Sequence, residues 1–142
     1  MKTGETFKTE TLEVSSKDII DFAALWDPQP FHLSAEAGKG TQFGGLIGSG
    51  LQSLCSMVKL GVESGFLTKN GIAGLSVENL RFRAPLRPEM VVYAEFEVKN
   101  ARPSSKDPQR IIATLAATLK DVAGPTIITA DLVNLYHNTE GV

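Results

Sequence analysis

Asp27 and His32 stand five positions apart in the run Asp27-Pro28-Gln29-Pro30-Phe31-His32, an acid and an imidazole in a short segment holding two prolines. Three chemistries use such a pair: a structural hydrogen bond, a metal site, or general acid and base catalysis. Regular structure does not bring the two side chains together. A separation of five places them on opposite faces of an ideal strand and well apart around an ideal helix. Pro28 and Pro30 fix their own φ and bias Asp27 and Gln29 towards extended backbone, which predicts a rigid irregular segment. Rigidity lowers the entropic cost of holding a site, but spacing alone leaves convergence open. Taken singly, Asp27 reads as a helix-terminating residue bonded to nearby backbone. His32 alone reads as a hydrogen-bonded, partly buried histidine, and Gln29 as a partner of the loop backbone.

The other residues with chemical potential have plainer readings. Glycines at 44, 45, 48 and 50 follow no evident strand and precede no ribose-binding acid, so they are not a dinucleotide fingerprint. No Lys-Ser or Lys-Thr follows to make a phosphate-binding loop. Close backbone packing accounts for three of the four. Cys55 is the single cysteine, so an internal disulfide and a multi-thiolate metal cluster are both excluded within one chain. It falls in the middle of an apolar stripe and is expected to be a small core residue. His137 stands at the very end of the last predicted strand without histidine or cysteine neighbours, and no metal site is expected there. Arg81, Arg83, Arg87, Lys106 and Arg110 read as solvated strand and loop charges.

The elements that must position the candidate pair follow from periodicity. Thr6 to Val14 alternates and predicts a half-buried strand. Ser15 or Ser16 can cap a helix in which Ile19, Phe22, Ala23 and Trp26 recur at helical spacing before Pro28 stops it. Ser34 to Gly38 predicts a helical turn. Gly44 to Gly50 leads into a helix whose apolar stripe is Leu51, Leu54, Cys55, Val58 and Val62; with Met57 and Leu60 on its flanks, it is expected to be wrapped on most sides. Four strands follow, at 72–86, 90–101, 109–121 and 125–137, separated by the turn clusters LRPE, RPSSKDP and VAGP. Short connections favour an antiparallel sheet. The expected fold class is α+β, one antiparallel sheet curled around a long buried helix, which is the hotdog architecture; a small α+β sandwich gives a similar order of elements.

Composition agrees with one domain over residues 1–142. The 142 residues are 42% hydrophobic with a formal net charge of −2, which gives no broad basic surface for nucleic acid. The opening MKTGETFKTE has no apolar leader core, and no apolar run approaches the ~20 residues of a spanning helix. A soluble, cytoplasmic protein without membrane attachment is expected.

With these elements in place the sequence resembles the MaoC-like dehydratases and (R)-specific enoyl-CoA hydratases. Their signature is an acidic residue, any residue, Asn, Pro, an apolar residue and His, followed by a glycine-containing start to the hotdog helix. Here the signature reads Asp27 to His32, and Phe43 to Leu51 lies at the expected distance beyond it. Gln29 stands where the family usually has Asn, and Ser49-Gly50 where it often has His-Gly. The resemblance covers most of the chain.

The resemblance implies that Asp27 and His32 hold one water and act together as general base and general acid, adding it across a trans-2-enoyl thioester. It implies that the Gly50 amide stabilises the developing thioester oxyanion. Gln29, Phe31, Gly45, Gly48 and Ser49 are then expected at the substrate, the glycines leaving room for the pantetheine arm and acyl chain. No cofactor and no metal are implied. Acyl-CoA is the expected substrate, with acyl carrier protein as the other carrier and fatty acid metabolism as the setting. A homodimer paired edge to edge, or a higher homo-oligomer, would protect the sheet. Two other functions fit the same fold. An acyl-CoA thioesterase needs a carboxylate on the central helix, where Glu63 comes late. A non-catalytic acyl-thioester-binding or scaffold subunit would keep the fold while Gln29 and Ser49 eroded the chemistry.

Overall fold

The computed structural model describes residues 1–139. Its elements run β1 (Thr6–Glu13), α1 (Ser16–Trp26), α2 (Pro30–Leu33), α3 (Ala35–Lys39), α4 (Gly50–Glu63), β2 (Gly71–Phe82), β3 (Val91–Pro103), β4 (Arg110–Asp121) and β5 (Thr126–His137). The strands form one five-stranded sheet in the order β1-β3-β4-β5-β2, every neighbour antiparallel. The three C-terminal strands are consecutive hairpin partners, as their short turns predict. β2 departs from that pattern: it pairs with β5 and not with β3, and so forms the far edge. This is the expected hotdog arrangement of a sheet around a long helix.

Alternation along the inner strands builds the core. Val92, Ala94, Phe96 and Val98 of β3 point inwards, as do Ala113, Leu115, Ala117 and Leu119 of β4 and Ile128, Ala130 and Leu132 of β5. Side chains two apart share a face, so each strand supplies one apolar row. Against these rows pack Met57 and Leu60 of α4 and Ile19 of α1. Fully burying a side chain of this size is worth about 1.5–3 kcal/mol.

α4 corrects the apolar stripe expected from periodicity. Its buried residues are Gln52, Ser53, Ser56, Met57, Leu60 and Gly61, whereas Leu51, Cys55 and Val62 are exposed. The reason is proximity. A Cβ at Gly61 would lie 2.5 Å from Leu67 and 2.7 Å from the Phe96 ring, so at this turn the inward position has to be a glycine for the helix to approach its neighbours. Cys55 is thus an exposed residue and not a core one.

The first half of the chain sets up the approach to α4. Ser15 caps α1 in a reciprocal box with Asp18, satisfying amide donors that the first turn leaves unpaired. Ile19 and Ala23 are buried, but Trp26 is 69% exposed, so the helix presents only part of its predicted apolar face to the core. Asp27 caps the C-terminus, its N–H donating to the Ala23 carbonyl at 2.9 Å. The segment expected to be irregular winds into a single helical turn instead. Pro30 takes the first position of α2, where its missing N–H costs nothing. Ser34 closes α2 and caps α3 through its side chain.

α3 then meets the loop leading to α4 at Gly38. A Cβ there would fall 2.1 Å from the Gly45 carbonyl oxygen, a backbone atom that cannot swing aside. Gly38→Ala is expected to destabilise the fold by about 2–3 kcal/mol through overpacking. A urea melt at neutral pH checks this; an unchanged midpoint would mean that the loop gives way freely.

Candidate active site at the amino end of the central helix

Three elements deliver side chains to one point. Asp27 is released from α1 because Pro28 cannot continue the helix. His32 comes from the turn of α2, and Ser49 and Gly50 open α4 as its N-cap and first residue. The backbone stitches these elements together, with the Ile47 N–H donating to the Phe31 carbonyl at 3.3 Å and the Gly48 N–H to the Leu86 carbonyl at 2.7 Å.

The Asp27 carboxylate is the centre. Its Oδ2 accepts the Ser49 hydroxyl at 2.6 Å, its Oδ1 accepts the Gln29 amide at 2.7 Å, and His32 Nε2 lies 3.4 Å from Oδ2. A turn of α2 closes the separation that no regular element spans. His32 is only 4% exposed. Its Nδ1 lies 2.7 Å from the Ile47 carbonyl oxygen, an atom that can only accept, so Nδ1 carries a hydrogen and Nε2 is the nitrogen turned to Asp27. Phe31 packs edge-on against the imidazole, with ring centroids 4.5 Å apart.

Donors on both oxygens hold the Asp27 carboxyl below its usual range. The Ser49 hydroxyl contributes most, the Gln29 amide next, and His32 adds to them; partial burial works in the opposite direction. The group is therefore an anion at neutral pH. In the neutral imidazole Nε2 is also an acceptor, so the two atoms facing each other need a donor between them: a proton on Nε2 or the hydrogens of a water.

A cleft of about 520 Å³ opens beside the pair. Asp27, Gln29, His32, Gly48, Ser49 and Gly50 line one side of it, while Phe31 and Gly45 are not part of its lining. Gly48 is packed by the protein itself, since a Cβ there would meet Leu86 at 3.1 Å. Phe43, Phe82, Arg83 and Pro85 complete the walls. The Phe82 ring covers Gly50, where an added Cβ would lie within 2.5 Å of it. Among the described residues the Gly50 N–H finds no acceptor, which leaves a donor at the positive end of a helix dipole.

Phe43 and Phe82 were not singled out for the cleft by any sequence pattern. Phe82 is the last residue of a strand that reads as an ordinary alternating one, and only the pairing of β2 with β5 brings it over α4. Arg83 donates to Thr129 at 2.9 Å and Arg87 to the Phe43 carbonyl at 2.9 Å, while Arg110 pairs with Asp107. Glu63 ends α4 paired to Lys59, about 20 Å from Gly50 at ~1.5 Å of rise per residue. Among the described residues no three His, Cys, Asp or Glu side chains cluster as metal ligands, and no helix is long and apolar enough to cross a membrane.

A larger groove of about 650 Å³ runs between α4 and β2. Val58, Val62, Ile72, Leu75 and Val77 are among its walls, and no carboxylate, imidazole or thiol lines it. Its walls are apolar and hold no group able to carry a proton, unlike those of the smaller cleft.

Known proteins share this architecture. A family model described as MaoC like domain matches residues 1–120. The protein YdeM of Bacillus subtilis (strain 168), itself uncharacterized, is 36% identical over 104 residues, 73% of this chain and 74% of YdeM. The crystal structure of the MaoC-like dehydratase from Rhodospirillum rubrum superposes with a TM-score of 0.91 at 30% identity, covering 97% of this chain and 94% of that one. The (R)-hydratase from A. caviae involved in PHA biosynthesis is 24% identical with a TM-score of 0.78, covering 97% and 98% of the two chains, and shows a shared fold. A sheet wrapped on a central helix, an acid and a histidine meeting at that helix's amino end, and a family match over most of its length together establish that this chain belongs to the MaoC-like domain family.

Proposed function

We propose that this protein is an (R)-specific enoyl-CoA hydratase/dehydratase, adding water reversibly to a trans-2-enoyl thioester. The observation that carries the reading is the 3.4 Å approach of His32 Nε2 to Asp27 Oδ2 beside a cleft bordered by the Gly50 amide. Two acceptors at that distance leave a water within reach of both, its oxygen lone pair free to attack. As the oxygen bonds to the β-carbon of the enoyl group, the pair takes one water proton. Electron density moves from the double bond to the thioester carbonyl oxygen, where the Gly50 N–H and the start of α4 stabilise it. The pair then returns a proton to the α-carbon on the same face. Water adds as hydroxyl and hydrogen, nothing is oxidised or reduced, and dehydration is the reverse path.

Asp27 and His32 are the catalytic residues of this reading and Gly50 the oxyanion donor. The names of two structural relatives support it, one a MaoC-like dehydratase and the other an (R)-hydratase. Coenzyme A is preferred over acyl carrier protein as carrier. The carrier protein is acidic, and a chain of net charge −2 presents it no broad basic face.

We also propose that the working form is a homodimer joined along β2. This strand is a sheet edge exposed along nearly its whole length, and Ile72, Leu75 and Val77 stand on it beside Val62 of α4 as exposed apolar side chains. An unpaired edge next to an apolar strip is the arrangement a second copy covers.

Two experiments test these proposals. Incubated with a short-chain trans-2-enoyl-CoA, the wild-type protein is expected to remove the conjugated absorbance and yield the (R)-3-hydroxyacyl product. Asp27→Asn and His32→Ala should each lower kcat by a factor of about 10² to 10⁴. Binding without turnover across chain lengths would replace catalysis with an acyl-thioester-binding role, and thiol release would replace it with a thioesterase. For the assembly, light scattering should give twice the chain mass for the wild type and a monomer for Leu75→Lys. A wild-type monomer at micromolar concentration would remove the dimer.

A further inference from the structure

Asp27 sits at the C-terminal cap of α1, and the chemistry proposed for it demands a fixed direction. The terminal torsion of an aspartate is a broad, roughly twofold rotor, so one donor does not fix the carboxylate. Gln29, which holds Oδ1, belongs to an exposed residue of the proline segment. The second anchor is of a different kind. Ser49 is 0% exposed, its backbone is set by the start of α4, and its hydroxyl oxygen accepts the Leu51 N–H at 3.2 Å. With that lone pair engaged, the one hydroxyl hydrogen goes to Asp27 Oδ2 at 2.6 Å.

We infer that Ser49 is the positioning residue of the reaction: its hydroxyl locks the Asp27 carboxylate to the amino end of α4, fixing base and oxyanion donor relative to each other. The inference deepens the hydratase reading and rests on it for its catalytic consequence. Gly50, which offers the oxyanion N–H, is the very next residue, so base and oxyanion donor are separated by one peptide unit and one hydrogen bond. The water and the thioester carbonyl must be held in register for attack at the β-carbon, and a misplacement of about 1 Å can cost about 10²-fold. The chain Leu51 N–H to Ser49 Oγ–H to Asp27 also carries the polarity of the helix terminus to the carboxylate, each bond strengthening the next. Ser49 thus orients the base, Asp27 and His32 move protons, and Gly50 receives the charge.

The test separates this role from ordinary helix capping, and from the hydratase reading itself. Ser49→Ala is expected to lower kcat roughly ten- to hundred-fold while KM stays within about twofold, the mark of an interaction that acts in the transition state. Independently of turnover, the carboxyl carbon of Asp27, followed by NMR in protein labelled at aspartate, should titrate below its ordinary 3.8 in the wild type and move upward in Ser49→Ala. Stability follows the same sign: the anion's contribution is whole above 3.8, is lost as pH falls through the folded midpoint, and disappears at a higher pH in the variant. Loss of a cap alone would leave that titration in place. A third reading needs no variant: the wild-type Ser49 hydroxyl proton, held between helix and carboxylate, should exchange slowly enough to be seen. An unmoved Asp27 titration with unchanged kcat, or a freely exchanging hydroxyl, would overturn the inference. Inactive wild type with a shifted titration would keep the lock and remove the hydratase.

Discussion

The close seat of α4 on the sheet is the constraint from which the rest of the molecule follows. Gly61 faces inwards where any side chain would strike Leu67 and Phe96, and it shares the buried face with Ser53, Ser56, Met57 and Leu60. With that face inside, Leu51 and Val62 turn outwards, and the helix terminus is held at one fixed place above the sheet. Interiors pack too densely to allow a compromise between the two faces. The site and the exposed apolar strip are therefore two results of one packing decision.

At that fixed terminus the chain gathers polar groups that would be costly if left alone. A carboxylate with both oxygens bonded, a buried imidazole tied to a backbone carbonyl and a helix-capping hydroxyl satisfy one another. His32 Nε2 and the Gly50 N–H remain able to accept and to donate, and both belong to the region of the cleft. A site whose supporting bonds are already made loses little on reorganising when a substrate arrives, which is the basis of electrostatic preorganisation.

The two positions where this chain departs from the family signature converge on one atom group. Gln29, one methylene longer than asparagine, reaches back to Asp27 Oδ1, and Ser49 reaches Oδ2. Each was legible as a substitution in the sequence, but neither disclosed its partner. The Asp27–Ser49 bond spans 22 positions and depends on how α1 and α4 pack. Cys55 and Trp26 teach the same lesson from the other side: both lie on helical apolar patterns, and both are exposed. Periodicity identifies an apolar face without saying whether this chain's core or another surface will cover it.

By itself the sequence determined the succession of elements, because capping serines, proline stops, alternation and turn clusters act over a few residues. It also determined that Pro28 would end the first helix at Asp27 and that a glycine would open the long helix. Tertiary structure alone decided that β2 would cross to the far edge beside β5, that α4 would bury Ser53, Ser56 and Gly61 and expose Leu51 and Val62, and that Phe82 would cover Gly50. The physical reason is range. Local rules fix backbone direction residue by residue, whereas the meeting of two side chains depends on volumes and hydrogen bonds supplied by segments distant in the chain.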